Sequence, residues 1–403
     1  MSTNEDGLLG PKGFKIRTIS CGINTPKGTR KDMLLIATDK PASAAGVFTT
    51  NRVKASPVLL SQSHVSNGLA QAIVVNSGNA NACNGKAGMS DAESMVNEVA
   101  NGMGIASDLV LIASTGVIGR PLPMECILEG IQESVTSIEL DPDRDAAQAI
   151  MTTDTVPKEH AISIDIDSNT IMIGGIAKGA GMICPNMATM ISVLTTDAAI
   201  APGALRAALC HATDSSFNCL SVDGDMSTND TVLILANGNA TNPMISTEQS
   251  PGYPEFVAGL VEVCTVLAKK IARDGEGATK LIEIEVVGAA SDDEARAIGM
   301  TVANSALVKT AIYGNDPNWG RIICAVGYAD AESDPDLIDL YLCGRQMTYD
   351  GQGLLLDEPD MRAALSSETI PLKIDLKIGA GKATIWTCDM SHEYVTINAE
   401  YTT

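Results

Sequence analysis

The chain has 403 residues, 45% hydrophobic and 19% charged, which suits two or three packed units rather than one small core. Its formal net charge of -22 argues against nucleic acid and anionic membranes as partners, because such a surface repels phosphate. Aromatic residues make up only 3%, so the core must be built from Val, Ile, Leu, Met and Ala.

The N-terminus, MSTNEDGLLG, is acidic where a secretory leader would be basic and then apolar, and no apolar run approaches the length of a membrane span. A cytoplasmic protein is expected. The ten cysteines are scattered without a C-x-x-C pair, which fits reduced thiols rather than a zinc site or a disulfide scaffold.

In chain order, residues 15–60 alternate short apolar runs with Gly, Pro and Lys and predict strands. Residues 71–75 (QAIVV) predict a buried strand that runs into NSGNANACNGKAG, a stretch too rich in Gly and Asn to be regular. Ser90, with Glu93 three residues on and Met95, Val96 and Val99 following, predicts a helix start. A strand over 109–113 ends at Ser114-Thr115-Gly116. A helix is expected at 143–151 and a strand pair at 161–166 and 171–176. Helices at 202–216 and 254–273 enclose a strand at 231–236. Beyond about residue 280 the pattern predicts a strand at 281–287 and a helix at 292–308, then strands near 321–328 and 338–343. A helix at 357–366 and strands at 370–377, 382–388 and 394–398 complete it. The whole reads as mixed α and β with a boundary near 280.

One segment carries unusual chemistry: KGAGMICPNMATM at 178–190. Gly179 and Gly181 admit backbone shapes that other residues resist, and Pro185 stiffens the chain before Ala188-Thr189. In a strained peptide the Thr189 hydroxyl can attack the Ala188 carbonyl, giving an ester that water opens to a free N-terminal threonine. That threonine carries its own base, since an α-amino group titrates near ~7.7–8.0. The four histidines, His64, His160, His211 and His392, sit in no G-x-S-x-G or similar setting, so a Ser-His-Asp triad has little support. By themselves these residues also fit an ordinary loop-to-strand connection. Asp223, Asp225 and Asp230 lack the spacing of a calcium loop and its closing Glu, and no metal is assigned.

KGAGMICPNMATM resembles the self-cleavage signature of the ornithine acetyltransferase (glutamate N-acetyltransferase) family, the ArgJ-type enzymes of arginine biosynthesis. VVNSGNANAC at 74–83, ASTGVIG at 113–119, MTTDTVPK at 151–158 and STNDT at 227–231 resemble the same family. So do DGEGATK at 274–280, NDPNWGR at 315–321 and YVTINAEYTT at 394–403, in the same order along the chain.

The resemblance implies an α+β fold, a layered αββα sandwich like that of N-terminal-nucleophile hydrolases, with a mixed α/β C-terminal domain. It implies cleavage between Ala188 and Thr189 into an α chain, 1–188, and a β chain, 189–403. Residues 189–280 would complete the catalytic sandwich and 281–403 would form the C-terminal domain. Two of each chain would assemble as a heterotetramer. Thr189 would take acetyl from N-acetylornithine and pass it to glutamate, with acetyl-CoA as a possible co-substrate and no other cofactor.

By the same resemblance Thr115 and Gly116 would form the oxyanion hole. Lys178 would bind the substrate α-carboxylate, and Glu276 would face the ornithine ammonium. Thr152, Asn398 and Thr403 would complete the pocket, with Thr153 and Thr155 as neighbours able to share the role of Thr152. NSGNANACNG would form a tight turn near the site, and Trp319 would serve packing. An N-terminal-threonine aminopeptidase or amidase, with water as acceptor, is the second reading. An uncleaved binding protein is the third.

Overall fold

The computed structural model describes residues 6–184 and 190–400, together with the backbone of residues 2–4. Its first part comprises β1 (Ser2–Asn4), β2 (Lys15–Ile19), β3 (Met33–Phe48), α1 (Ser56–His64), β4 (Leu69–Asn79), α2 (Gly85–Met103), β5 (Val110–Val117), α3 (Met124–Thr136) and α4 (Ala146–Ala149). There follow β6 (Lys158–Ile166), β7 (Asn169–Lys178), β8 (Ile191–Thr196), α5 (Pro202–Asp214), β9 (Thr231–Ala236) and α6 (Tyr253–Arg273).

These strands form one sheet in the order β1-β6-β7-β8-β9-β3-β4-β5, with β2 also on β3. The long β3 belongs to two neighbourhoods. Its first half, Met33 to Ala37, pairs with β2 and β4, and its second half, Ser43 to Phe48, pairs with β9. Its register with β4 slips between Ala37 and Ala42, and there the sheet turns over onto itself.

The period of two along each strand then sorts side chains into layers. Leu34 and Ile36 of β3, Ile73 and Val75 of β4, and Leu111 and Ala113 of β5 meet Ile176 of β7, Ile191 and Val193 of β8, and Leu233 and Leu235 of β9 in an inner core. The intervening residues, Met33, Leu35, Ala72, Val74, Val110 and Ile112, face α2 and α3. On the opposite outside, Ile162, Ile173, Leu194, Val232 and Ile234 face α5 and α6. The result is helix, sheet, sheet, helix. Both faces of the strands are buried, which is why they read as continuous apolar runs. The helices show the matching stripe: Ala92, Met95, Val96, Val99 and Ala100 are the buried line of α2, and left-handed Gly104 ends it.

The rest of the chain comprises β10 (Leu281–Ala289), α7 (Asp292–Ala303), α8 (Ala306–Tyr313), α9 (Trp319–Gly327), β11 (Asp339–Leu342), β12 (Arg345–Tyr349), β13 (Gln352–Gly353), α10 (Glu358–Ala364), β14 (Thr369–Asp375), β15 (Gly381–Cys388) and α11 (His392–Glu400). It makes a second sheet in the order β13-β12-β11-β14-β10-β15. This sheet shares one hydrophobic cluster with α6, whose Leu267, Ala268 and Ile271 join the same core as Ile282, Ile284 and Ile385. Trp319 packs on the edge of that core, close against Gly353.

Four expected elements differ. Residues 321–328 lie in helix α9, whose Ile322, Ala325 and Val326 bury at helical spacing; the apolar run was too short to show its period. Residues 394–398 lie in helix α11, not a strand. Its β-branched Val395, Thr396 and Ile397 favour extended chain, and contacts of Tyr394 and Asn398 with the body of the protein override that preference. The expected helix at 292–308 is divided, because the Ser305 side chain accepts the Val308 amide and starts α8. α2 begins at Gly85, so Ser90 lies inside the helix rather than at its cap. Among the described residues no helix is long and apolar enough to cross a membrane.

Ile36 is wholly buried between the two sheet layers. Ile36→Ala is expected to cost about 2–5 kcal/mol, from lost burial and the cavity left behind. Exposed Lys40→Ala is expected to change stability by less than ~0.5 kcal/mol. Urea unfolding of both variants against the parent checks this.

Candidate active site

At one end of the sandwich several strand ends converge. Lys178 at the end of β7 pairs with Ile191 at the start of β8, and Ile191 pairs with Thr231 at the start of β9. Asn79 and Val117, at the ends of β4 and β5, come from the other layer. The pocket between these ends is lined by Thr115, Gly116, Thr152, Lys178, Glu276 and Asn398. These residues span most of the sequence, and one cavity gathers them. Ala188, Thr189 and Thr403 lie outside the described residues.

Volume does not single this pocket out. It offers about 80 Å³, against about 960 Å³ for a cavity lined by Val156, Lys270 and Ile397 and about 600 Å³ for one beside Tyr341. Its concentration of reactive groups does. Among the described residues no cluster of His, Cys, Asp and Glu has the makings of a metal site.

Gly116 is bound to its place by space and by dihedral angle. Its φ is +130°, and a Cβ there would lie 2.3 Å from the Gly78 carbonyl carbon. NSGNANAC thus forms the end of β4 and the turn beside the pocket, with Ala80 in its lining. Asn229 ties the two ends together, its Nδ2 donating to the carbonyls of Ala80 at 2.6 Å and Ser114 at 2.8 Å.

Thr115 is buried, and its Oγ1 accepts a hydrogen bond from Lys178 Nζ at 3.2 Å. Accepting from a cation leaves the hydroxyl proton free to donate and strengthens it as a donor. Among the described residues Lys178 Nζ donates to Thr115 alone, which leaves two N–H groups that can meet an anion. Only 2% of Lys178 is exposed, and burial lowers its pKa against the opposing pull of Asp154.

Lys178 heads a buried series of alternating charges. Asp154 Oδ1 accepts from Lys158 Nζ at 2.6 Å and from the Gly179 amide at 2.7 Å, while its Oδ2 accepts from the Thr152 amide at 3.0 Å. Lys158 Nζ reaches Asp274 at 2.6 Å. Burial opposes ionisation of Asp154, but the charges of Lys178 and Lys158 and the Gly179 amide outweigh it and bring its carboxyl down to about 2.

Thr152 and Thr153 both line the pocket. Thr155 instead turns to Asp274, donating from both its amide and its hydroxyl.

Glu276 is placed by its neighbours on every side. Its amide donates to the Ala180 carbonyl at 2.8 Å, and its Oε2 accepts from Asn398 Nδ2 at 2.8 Å. Gly181 leaves room for this side chain: a Cβ there would fall 2.3 Å from Glu276 Oε2 and push the carboxylate aside. The two glycines of KGAG therefore serve differently, since Gly179 has a φ of +151° and Gly181 does not need a positive one.

Two carboxylates bracket the segment that follows. Asp223 accepts the Met182 amide at 2.7 Å and the Ile183 amide at 2.8 Å, and Asp230 accepts the Met190 amide at 3.1 Å. Burial raises both pKa values, that of Asp230 well above the usual carboxylate range. Tyr394 of α11 donates to Asp223 at 3.3 Å, so the last helix is moored to the same group.

Thr153, named beside Thr152 in the sequence, is in the lining, whereas Met182, Ser227, Asn229, Ala80 and Ile118 had no role assigned there. The residue-by-residue reading also missed the supporting Asp154, Lys158 and Asp274. Each sits inside or beside a motif already singled out, such as MTTDTVPK or STNDT, so the signal was present as neighbourhood but not as role.

Residues 15–403 match the ArgJ family. The chain is 48% identical over 397 residues to arginine biosynthesis bifunctional protein ArgJ of Symbiobacterium thermophilum, covering 98% of each chain. It is 48% identical over 396 residues to the protein of the same name from Geobacter sulfurreducens, covering 97% of this chain and 99% of that one. The crystal structure of arginine biosynthesis bifunctional protein ArgJ from Bacillus halodurans aligns with a TM-score of 0.51 at 44% identity, covering 52% of this chain and 98% of its own. A family match over almost the whole length, with relatives at nearly half identity end to end, means that the chain belongs to the ArgJ family.

Proposed function

We propose that this chain cleaves itself between Ala188 and Thr189 and then moves acetyl from N-acetylornithine to glutamate through an acetyl-Thr189 intermediate. The observation that carries this is the convergence of Thr115, Gly116, Thr152, Lys178, Glu276 and Asn398 on one pocket, beside which the chain runs from Gly181 and Met182 toward Thr189. The names of the relatives support an arginine-biosynthetic role.

Cleavage begins with an N-to-O shift. The Thr189 hydroxyl attacks the Ala188 carbonyl, the C–N bond breaks, and water hydrolyses the ester to leave a free amine on Thr189. The pieces 1–188 and 189–403 would remain together, because β8 pairs with β7 and β9 pairs with β3 across the cut. The solved Bacillus halodurans chain covers only 52% of this one while matching 98% of itself, about the length of a cleaved piece. Residues 189–280 would complete the sandwich, and 281–403 would carry the second sheet.

In turnover the Thr189 amine takes the hydroxyl proton as Oγ attacks the acetyl carbonyl. The Thr115 hydroxyl and the Gly116 N–H stabilise the oxyanion. Ornithine leaves with the proton, and the glutamate amine attacks the acetyl ester to regenerate the threonine. Lys178 pairs with the substrate α-carboxylate. Glu276, oriented by Asn398, faces the ornithine ammonium, while Thr152 and Thr403 close the pocket. Acetyl-CoA would serve as a second acetyl donor, with no other cofactor. A heterotetramer of two α and two β chains in the cytoplasm goes with this function.

Mass spectrometry of the purified protein is expected to find two chains, the second beginning at Thr189. Thr189→Ala is expected to remain one chain without acetyl transfer; transfer by that variant would overturn the mechanism. Acetate release that ignores added glutamate would favour the amidase instead.

Thr115→Ala is expected to lower kcat by ~100–1000-fold, read by steady-state kinetics. Glu276→Gln is expected to raise KM for N-acetylornithine by roughly tenfold or more, and to leave a donor lacking the side-chain ammonium much less affected. Equal losses on both donors would remove the role given to Glu276.

A further inference from the structure

We infer that Asp154 is a positioning residue of the acyl-transfer site: its buried carboxylate holds the Thr152 and Gly179 amides in one arrangement next to Lys178, braced from behind by Lys158 and Asp274. The inference rests on the proposed function in one respect, the pairing of Lys178 with a substrate carboxylate. The geometry is independent of that function. One carboxylate accepts from the Thr152 amide at 3.0 Å, the Gly179 amide at 2.7 Å and Lys158 Nζ at 2.6 Å. Thr152 belongs to one wall of the pocket, and Gly179 begins the segment leading to the cleavage site. Lys158 crosses at 2.6 Å to Asp274, two residues before Glu276, so the third wall is tied to the same centre.

None of these bonds contributes an atom to the reaction. Asp154 is not among the pocket-lining residues, and its side chain is fully buried. What it supplies is charge. A buried ammonium such as Lys178 tends to lose its proton unless an anion lies close by. The charged groups acting on Lys178 are Asp154, Lys158, Asp230 and Glu276. Burial lowers the Lys178 pKa; Asp154 is the largest influence raising it, and Lys158 lowers it further.

Only charged Lys178 captures a carboxylate, so kcat/KM falls as pH rises through its pKa. Removing the negative charge of Asp154 moves that basic limb to lower pH. Removing the positive charge of Lys158 moves it to higher pH. The Thr189 amine must be unprotonated to act as base and therefore governs the acidic limb instead.

The test is the pH profile of kcat/KM for N-acetylornithine in the parent, Asp154→Asn and Lys158→Met, with N-acetylputrescine, which lacks the carboxylate, as the comparison donor. Asp154→Asn is expected to shift the basic limb down by roughly one unit and to raise KM about tenfold or more, the change that ~1.4 kcal/mol gives, with a smaller effect on kcat. The comparison donor is expected to show no such shift. Lys158→Met is expected to move the limb up.

An Asp154→Asn enzyme whose kcat and kcat/KM fall equally with the limb in place would overturn the inference and leave Asp154 a merely structural group. If Asp154→Asn does not fold, Lys158→Met decides: a limb that stays or moves down overturns the inference. A parent protein without acetyl transfer would instead defeat the proposed function, which separates the two failures.

Discussion

Buried charges survive in an aliphatic interior only when each is paired, and that constraint organises the reactive end of this protein. Lys178, Asp154, Lys158 and Asp274 alternate in sign through the space behind the pocket. A buried pair need not add net stability, but breaking one leaves an uncompensated charge at high cost. The series therefore acts as a geometric lock. It holds residues 152–158, the end of β7 and the turn after α6 in fixed relation.

A second set of acids solves a different problem. The chain on both sides of residues 185–189 leaves the β ladder, so its amide donors need partners elsewhere. Asp223 takes the amides of Met182 and Ile183, and Asp230 takes that of Met190. In sequence these acids invite a metal-binding interpretation. In the fold they are acceptors for backbone, and burial pushes the Asp230 pKa upward.

The sandwich explains why the pocket lies where it does. Strand interiors bury both faces against largely apolar layers, and the few polar side chains there, such as Ser192, are spent on hydrogen bonds within the sheet. The strand ends escape that requirement. At one end β4 and β5 of one layer meet β7, β8 and β9 of the other, so a hydroxyl and an amide from Thr115 and Gly116 can face an ammonium from Lys178. The turn of the sheet through β3 brings these ends together.

Much of this was written in the sequence itself. Short apolar runs and helical spacing located most strands and helices, because strands buried on both faces are apolar throughout and helices bury one face at a fixed spacing. The motif around Thr189 and the ordered blocks pointed to family, chemistry and the residues that now share one pocket. Local pattern failed where distant contacts set the conformation. α11 is helical although Val395, Thr396 and Ile397 favour a strand, because Tyr394 and Asn398 are moored to Asp223 and Glu276. Only the tertiary structure brought Asp154, Lys158 and Asp274 into one series, since charge pairing depends on distance in space and these residues lie up to 120 positions apart along the chain, from 154 to 274. It likewise gave Gly181 its purpose, because the Glu276 side chain that fills the space above it comes from far along the chain.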